Sequence, residues 1–257
     1  MKRQPDRNIA LIQCVIDRFL NVTLLIISAL FLVVGVYALV DNRLVIHEAE
    51  IPDSLKKSAM ADREFPDIKE LKNTNEEIIA WLTLDDTLVD YPITQAKDNA
   101  KYLTVNYKNE HSIAGNPFVD YRNNLATDHY SIIYGHRMNQ KKMFGSLIEY
   151  ANASYMQKHL TGTLTLPSGT LGLEVIAYSV IDITNTKIYD IAEKRINSNK
   201  EILKSISSSA SAINGKYTRD YLQSDQAGQW RLLLLSTCDK NSKHYRDVLL
   251  LKIGDYI

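Results

Sequence analysis

Cys238, one of only two cysteines in the chain, closes its most hydrophobic run: QWRLLLLSTCDKNSKHYRDVLLLKI, residues 229–253. An apolar strand is expected up to Cys238, mostly polar residues follow, and Arg246 opens a second apolar strand. A thiol with the ordinary pKa of ~8.5 holds little thiolate at neutral pH, and a neighbouring cation lowers it. Thioester chemistry at such a thiol further needs an acid for the leaving amine and a donor for the developing oxyanion. The search is therefore for one histidine and one fixed cation, and Arg246 is the candidate cation. The alternative is a core cysteine, since unpaired Cys is among the most buried residue types. Arg246 would then sit in a surface ion pair with Asp247 or Asp239.

Six histidines are available. His47 lies beside a membrane-like segment, His159 among polar helix-like residues, and His111 and His129 in or beside loops. His136 ends the apolar run SIIYGH, where Gly135 would give the backbone freedom to turn. Strand ends, where a rigid element meets a loop, commonly hold catalytic groups. His244 is only six residues from Cys238 on the same loop. Spacing alone leaves His136 and His244 both open.

The elements that must position these groups are short strands. AWLTLDDTLVDYPI reads as a hairpin around Asp85-Asp86, and NPFVDY (116–121) and HYSIIYGH (129–136) as two more strands. TGTLTLPSGTLGLEVIAYSVIDIT gives two strands about the Pro167-Ser168-Gly169 turn, and two strands flank Cys238. That makes about eight. DNAKYLTVNY, with Asp98 near its start, reads as a short helix, KKMFGSLIEYANASYMQKHL as one or two, and 197–213 as another. Residues 41–75 look helical, with Phe65, Ile68 and Leu71 at helical spacing and a capping box at Thr74-x-x-Glu77. Strands this short and regularly spaced suggest a β-barrel or sandwich.

Ahead of them, Phe19 to Val40 is 22 residues without a charge. At ~1.5 Å per residue such a helix crosses a hydrocarbon core of ~30 Å. The run exceeds the ~7–15 apolar residues of a signal peptide and closes on Ala38-Leu39-Val40, a poor cleavage site. An uncleaved anchor is expected. Lys2, Arg3, Arg7 and Arg18 precede it and Arg43 follows, so the N-terminus is expected in the cytoplasm and residues 41–257 outside. Cys14 and Cys238 then lie on opposite sides and cannot pair within one molecule, which leaves Cys238 a lone exported thiol. The 30 basic residues balance 30 acidic ones, which argues against nucleic acid as a partner. No His/Cys cluster has ligand spacing and no dense acidic run suggests a calcium loop, so neither metal nor cofactor is expected.

LLLLSTC, with Arg246 opening the next strand, resembles the active-site signature of sortases. AWLTLDDTLVDYPITQAKDNAKYL, GNPFVDYRN, IIYGHRM and KKMFGSL are similar to class B sortases in particular, and the likeness covers about residues 75–254. It implies a mainly β fold: a closed eight-stranded sortase-type β-barrel with N-terminal helices, a helix before the last two strands and one N-terminal transmembrane helix. It divides the chain into a cytoplasmic N-terminus (1–18), a transmembrane anchor (19–40), a helical linker (41–75) and an extracellular catalytic domain (76–257). By position, Cys238 matches the nucleophile, His136 the general acid/base, and Arg246 the residue that positions the sorting motif and stabilises the oxyanion. Tyr134, Ser236 and Thr237 share the same motifs as substrate-binding or supporting residues. Lys240 stands where some class B members carry an acidic residue, so no role passes to Asp239.

The implied chemistry is transpeptidation at the cell membrane of a Gram-positive cell. Cys238 would attack the Thr carbonyl of a surface protein's C-terminal sorting motif, and an amine would release the thioester. That amine belongs to the peptidoglycan precursor lipid II or, alternatively, to a pilin lysine. Papain-like enzymes place Cys before His, the reverse of the order here, and the Ser-x-Gly-Cys of L,D-transpeptidases is absent. The remaining rival is a non-enzymatic membrane-anchored β-domain that binds surface proteins.

Overall fold

The computed structural model describes residues 7–52, 65–184, 186–191, 199–238 and 244–257. The side chain of Cys238 and the following residues 239–243, Asp239 and Lys240 among them, lie outside the described set. The chain divides into two compact units, Met1–His47 and Glu48–Ile257. The first is dominated by one helix, α1 (Arg7–Glu48). Within it Leu11–Asp41 is long and apolar enough to cross a membrane, at roughly 46 Å for a rise of ~1.5 Å per residue.

The second unit is a barrel. Its strands are β1 (Ile78–Leu84), β2 (Asp90–Thr94), β3 (Phe118–Val119), β4 (Tyr130–Gly135), β5 (Thr161–Leu166), β6 (Gly169–Asp182), β7 (Ala210–Ile213), β8 (Arg231–Cys238) and β9 (Tyr245–Tyr256). The sheet order is β5-β1-β2-β3-β4-β8-β9-β6-β7, and a β5–β6 pairing closes the first eight into a ring. This is the closed eight-stranded barrel expected from the sequence. Neighbours are antiparallel except β2 with β3 and β4 with β8.

Alternation explains the unbroken leucines of β8. Leu233 and Leu235 face the barrel interior with Ile133, Leu249 and Leu251. Leu232 and Leu234 face outward into a second core with Tyr130, Ile132, Val248 and Leu250. The helix Lys200–Ser209 covers that outer face with Ile202, Leu203 and Ile206. A strand buried on both faces reads as a continuous apolar run, each buried leucine contributing ~1.5–3 kcal/mol.

Several local expectations are corrected. The helix expected over 197–213 stops at Ser209, because residues 210–213 extend along the free edge of β6 as β7. The hydroxyl of Ser179 on β6 donates to the Ser209 carbonyl at 3.0 Å, fixing the switch. The strand expected over 116–121 is only Phe118–Val119, since Asn116 and Asp120 spend their polar groups on loop contacts. DNAKYL forms one 3-10 turn, Lys101–Leu103, whose start the Asp98 carboxylate holds through the Ala100 and Lys101 N–H groups.

Thr74-x-x-Glu77 is no capping box. The Asn75 side chain accepts from the Glu77 N–H, and β1 begins at Ile78 because strand positions 78, 80, 82 and 84 are all buried. Ile68 and Leu71 join the barrel core as expected of their spacing, whereas Phe65 is exposed.

Candidate active site

Three neighbouring strands end at one rim of the barrel. β4 pairs in parallel with β8, setting Tyr134 beside Ser236 and Gly135 beside Thr237. β8 pairs antiparallel with β9, setting Thr237 opposite Asp247 and Cys238 opposite Arg246. His136 follows β4 directly. Register alone thus gathers at one rim residues that are ~100 positions apart in sequence, as parallel pairing requires a long crossover.

A cleft of about 240 Å³ opens there, lined by Tyr134, Gly135, His136, Ser236, Thr237 and Arg246 together with Asn99, Leu103 and Phe118. Five of the six site residues expected from the sequence therefore line one cleft, and the sixth, Cys238, ends the strand between them. His244 does not line it. The backbone carbonyl of His244 accepts from Ile183 at 2.7 Å on the β6 side. There its side chain adds to the Thr184 hydrogen bonds that hold the Asp182 carboxyl below its usual range.

His136 is fixed from several directions. Its Nε2 lies 2.7 Å from the Leu103 carbonyl oxygen. A carbonyl can only accept, so Nε2 carries the proton and Nδ1 is left to exchange one. Its own carbonyl accepts from Phe144 N–H at 3.0 Å, and Arg137 bridges to Met143.

Gly135 is not needed for backbone freedom, since its φ is not positive. It is needed for space: a Cβ there would meet the Phe144 ring at 2.6 Å.

The cleft wall is braced from behind. Tyr134 donates its hydroxyl to Asp120 Oδ2 at 3.0 Å, and Asn99 Nδ2 donates to the same oxygen at 2.9 Å. Arg122 grips the carboxylate with Nε and Nη2, each at 2.8 Å. Burial alone would raise the Asp120 pKa, but the hydrogen bonds from Arg122 and Asn99 hold it below the usual carboxylate range. The phenol of Tyr134 is driven well above its usual value, first by burial and then by the Asp120 charge. Tyr134 is therefore a neutral donor, not an acid.

Ser236 Oγ lies 3.1 Å from the Tyr189 hydroxyl. Arg246 Nη1 donates to the Tyr245 carbonyl at 3.0 Å. The buried Thr237 hydroxyl finds no partner among the described residues.

Sequence reasoning missed Asn99, Leu103, Asp120, Tyr189 and the Arg137–Asp247 ion pair described below. The Asp-x-Arg of GNPFVDYRN, polar residues at the end of an apolar block, was the one local hint of Asp120. Nothing in spacing linked it to Tyr134 or Asn99. Among the described residues no group of three or more His, Cys, Asp or Glu could hold a metal ion.

No protein-family model matches the chain. Sortase B of Listeria monocytogenes is 33% identical over 188 residues, 72% of this chain and 72% of that protein. Among solved structures, a Staphylococcus aureus sortase B–substrate complex aligns with TM-score 0.62 and 27% identity, covering 72% of this chain and 83% of that one. A Streptococcus pyogenes class B sortase involved in pilus biogenesis aligns with TM-score 0.63 and 28% identity, covering 72% and 97%. The chain belongs to the class B sortase family.

Proposed function

We propose that this sortase is a membrane-anchored cysteine transpeptidase whose nucleophile is Cys238, with His136 as general acid/base and Arg246 as oxyanion and sorting-motif donor. The observation that carries the reading is the register: Cys238 pairs directly with Arg246, and His136 directly follows the strand on the other side of β8. In the acylation step the Cys238 thiolate attacks the carbonyl of a Thr in the sorting motif. The C–N bond breaks, a proton from His136 leaves with the amine, and a thioester remains. In the second step His136 takes a proton from an incoming amine, which attacks the thioester and expels the thiolate. Arg246, at the cleft edge, would stabilise the negative oxygen in both tetrahedral intermediates.

A bound triglycine in a solved sortase B supports an amine acceptor. We take the amine of the peptidoglycan precursor as that acceptor, which would fix surface proteins to the wall. The likeness to a class B sortase involved in pilus biogenesis favours a pilin lysine as the second reading. Residues 19–40 would anchor the enzyme, with residues 1–18 inside, 41–75 as linker and 76–257 outside as the catalytic domain. The excess of Lys and Arg ahead of α1's apolar stretch supports that orientation.

One experiment tests both chemistry and orientation. A charged methanethiosulfonate reagent added to intact cells should label Cys238 and spare Cys14. Cys238→Ala should lose both thioester formation and peptide-to-amine transfer while keeping its fold. Transfer by the purified Cys238→Ala variant would overturn the nucleophile assignment, and labelling of Cys14 alone would reverse the orientation. Mass spectrometry of wall-linked and pilus-linked products in a strain lacking this protein separates the two acceptors.

A further inference from the structure

Tyr134, Ser236 and Arg246 stand at the cleft on the outward-face positions of β4, β8 and β9. On these strands Tyr130 and Ile132, Leu232 and Leu234, and Val248 and Leu250 all face the outer core, while their odd-numbered neighbours face the barrel interior. By the same alternation Arg137 and Asp247 belong to the inner face, behind Tyr134, Ser236 and Arg246, with Thr237 of the cleft wall between them.

An ion pair sits there that the proposed chemistry leaves unused. Arg137 Nη1 lies 3.0 Å from Asp247 Oδ2, with side chains 20% and 3% exposed. The other carboxylate oxygen of Asp247 accepts the Tyr178 hydroxyl at 2.5 Å. β8 separates β4 from β9, so the pair bridges two interstrand spacings, ~9–10 Å, across the position of Thr237. Each partner is the covalent neighbour of a cleft residue: Arg137 follows His136, and Asp247 follows Arg246.

We propose that Arg137 and Asp247 form a positioning latch for transpeptidation, setting the separation of His136 and Arg246 on either side of the Cys238 strand. Strand ends at a barrel rim lack backbone partners beyond the last rung and splay readily. The rim on the His136 side leads into a tight loop in which Gln140, Lys141 and Met143 all have positive φ, so that loop stores strain. The hydrogen-bonded ladder fixes β4 and β9 to β8 but ends at Gly135 on one side and Arg246 on the other. A charge-assisted link from Asp247, inside the β8–β9 ladder, to Arg137, two residues beyond the β4 ladder, extends that fixation past Gly135 to His136. Placement errors of ~1 Å at a reacting group can cost ~10²-fold in rate.

The proposal rests on the roles proposed above for Cys238, His136 and Arg246. The test uses the full-length protein in detergent micelles, fluorogenic short peptides each containing a threonine, and triglycine as the amine. Arg137→Met and Asp247→Asn should each lower kcat about 10- to 100-fold with KM changed less than about 3-fold. The double variant should be no worse than the poorer single one, because both remove the same link. Arg137→Lys, which keeps the charge, should recover most of the activity.

If a single variant fails to fold through its stranded partner charge, Arg137→Met/Asp247→Leu removes both charges together and is read in its place. Folded variants with kcat near wild type, losses confined to KM, or multiplicative losses in the double variant would each overturn the latch. Cys238→Ala is run alongside. Activity surviving there overturns the catalytic reading and the latch with it. Activity lost there but kept in the latch variants overturns the latch alone.

Discussion

The two candidate histidines differ in their surroundings. His136 lines the cleft with Nε2 held by the Leu103 carbonyl, whereas His244 flanks Asp182 on the far side of β9. His136→Ala should therefore lower peptide-to-amine turnover by ~10²–10⁴-fold, and His244→Ala should stay within a few-fold of wild type. The reverse ranking in steady-state kinetics would make the His136 assignment wrong. Arg246 admits a finer test, because field and geometry separate in it. Lysine keeps the positive charge but offers a mobile point donor in place of a planar fork. Arg246→Lys should keep thiol labelling by a small reagent and lose transfer by ~2.7–4 kcal/mol of transition-state stabilisation. Near-normal turnover would mean that the arginine supplies only its field.

At the scale of elements, the end of β4 is shaped by a packing contact. Phe144 is fully buried beneath Gly135, and its backbone N–H holds the His136 carbonyl. One ring thus sets where the strand ends and where the histidine begins. Gly135→Ala drives a methyl into that ring, and overpacking of this kind costs ~1–3 kcal/mol. Chemical denaturation should show that loss, and turnover should fall with it as His136 is displaced. Unchanged stability and turnover would show that Phe144 moves freely and does not define the site. The same scale explains β8: two cores, one inside the barrel and one under the Lys200–Ser209 helix, clamp it on both faces. The strand that ends in Cys238 is therefore held on both faces.

Across the whole barrel unit, buried phenols set its response to alkali. Burial pushes the Tyr91 phenol up to about 12, and burial also raises Tyr102, Tyr130, Tyr134 and Tyr150. An unfolded tyrosine titrates near ~10. The folded state thus keeps protons that the unfolded state gives up, and stability falls as pH rises. The contribution of Tyr91 is complete below pH ~10 and disappears between ~10 and ~12, a loss of about 3 kcal/mol. Urea denaturation at pH 9 and pH 12 should show at least that difference, and Tyr91→Phe should reduce it. An unfolding free energy flat across that interval would contradict the buried, protonated state of these phenols.

The sequence by itself determined what depends on neighbours along the chain. Short, regularly spaced apolar runs pointed to about eight strands, and eight strands form the staves of the barrel. The charge-free run from Phe19 to Val40 lies within α1, and Cys238 and Arg246 were singled out by type and by their place at strand ends, with His136 and His244 both left open as the histidine. Tertiary structure decided what depends on pairing. That β4 lies parallel to β8, and so His136 rather than His244 shares a cleft with Arg246, is a non-local register that no local period encodes. The extension of 210–213 as β7 followed from a free edge on β6, so the helix expected over 197–213 ends at Ser209. Asp120 beneath Tyr134, Leu103 beside His136 and Asp247 against Arg137 meet across 14, 33 and 110 residues. Closure of the barrel brings those groups within hydrogen-bonding reach, and a hydrogen bond leaves no periodic trace in the sequence on either side of it.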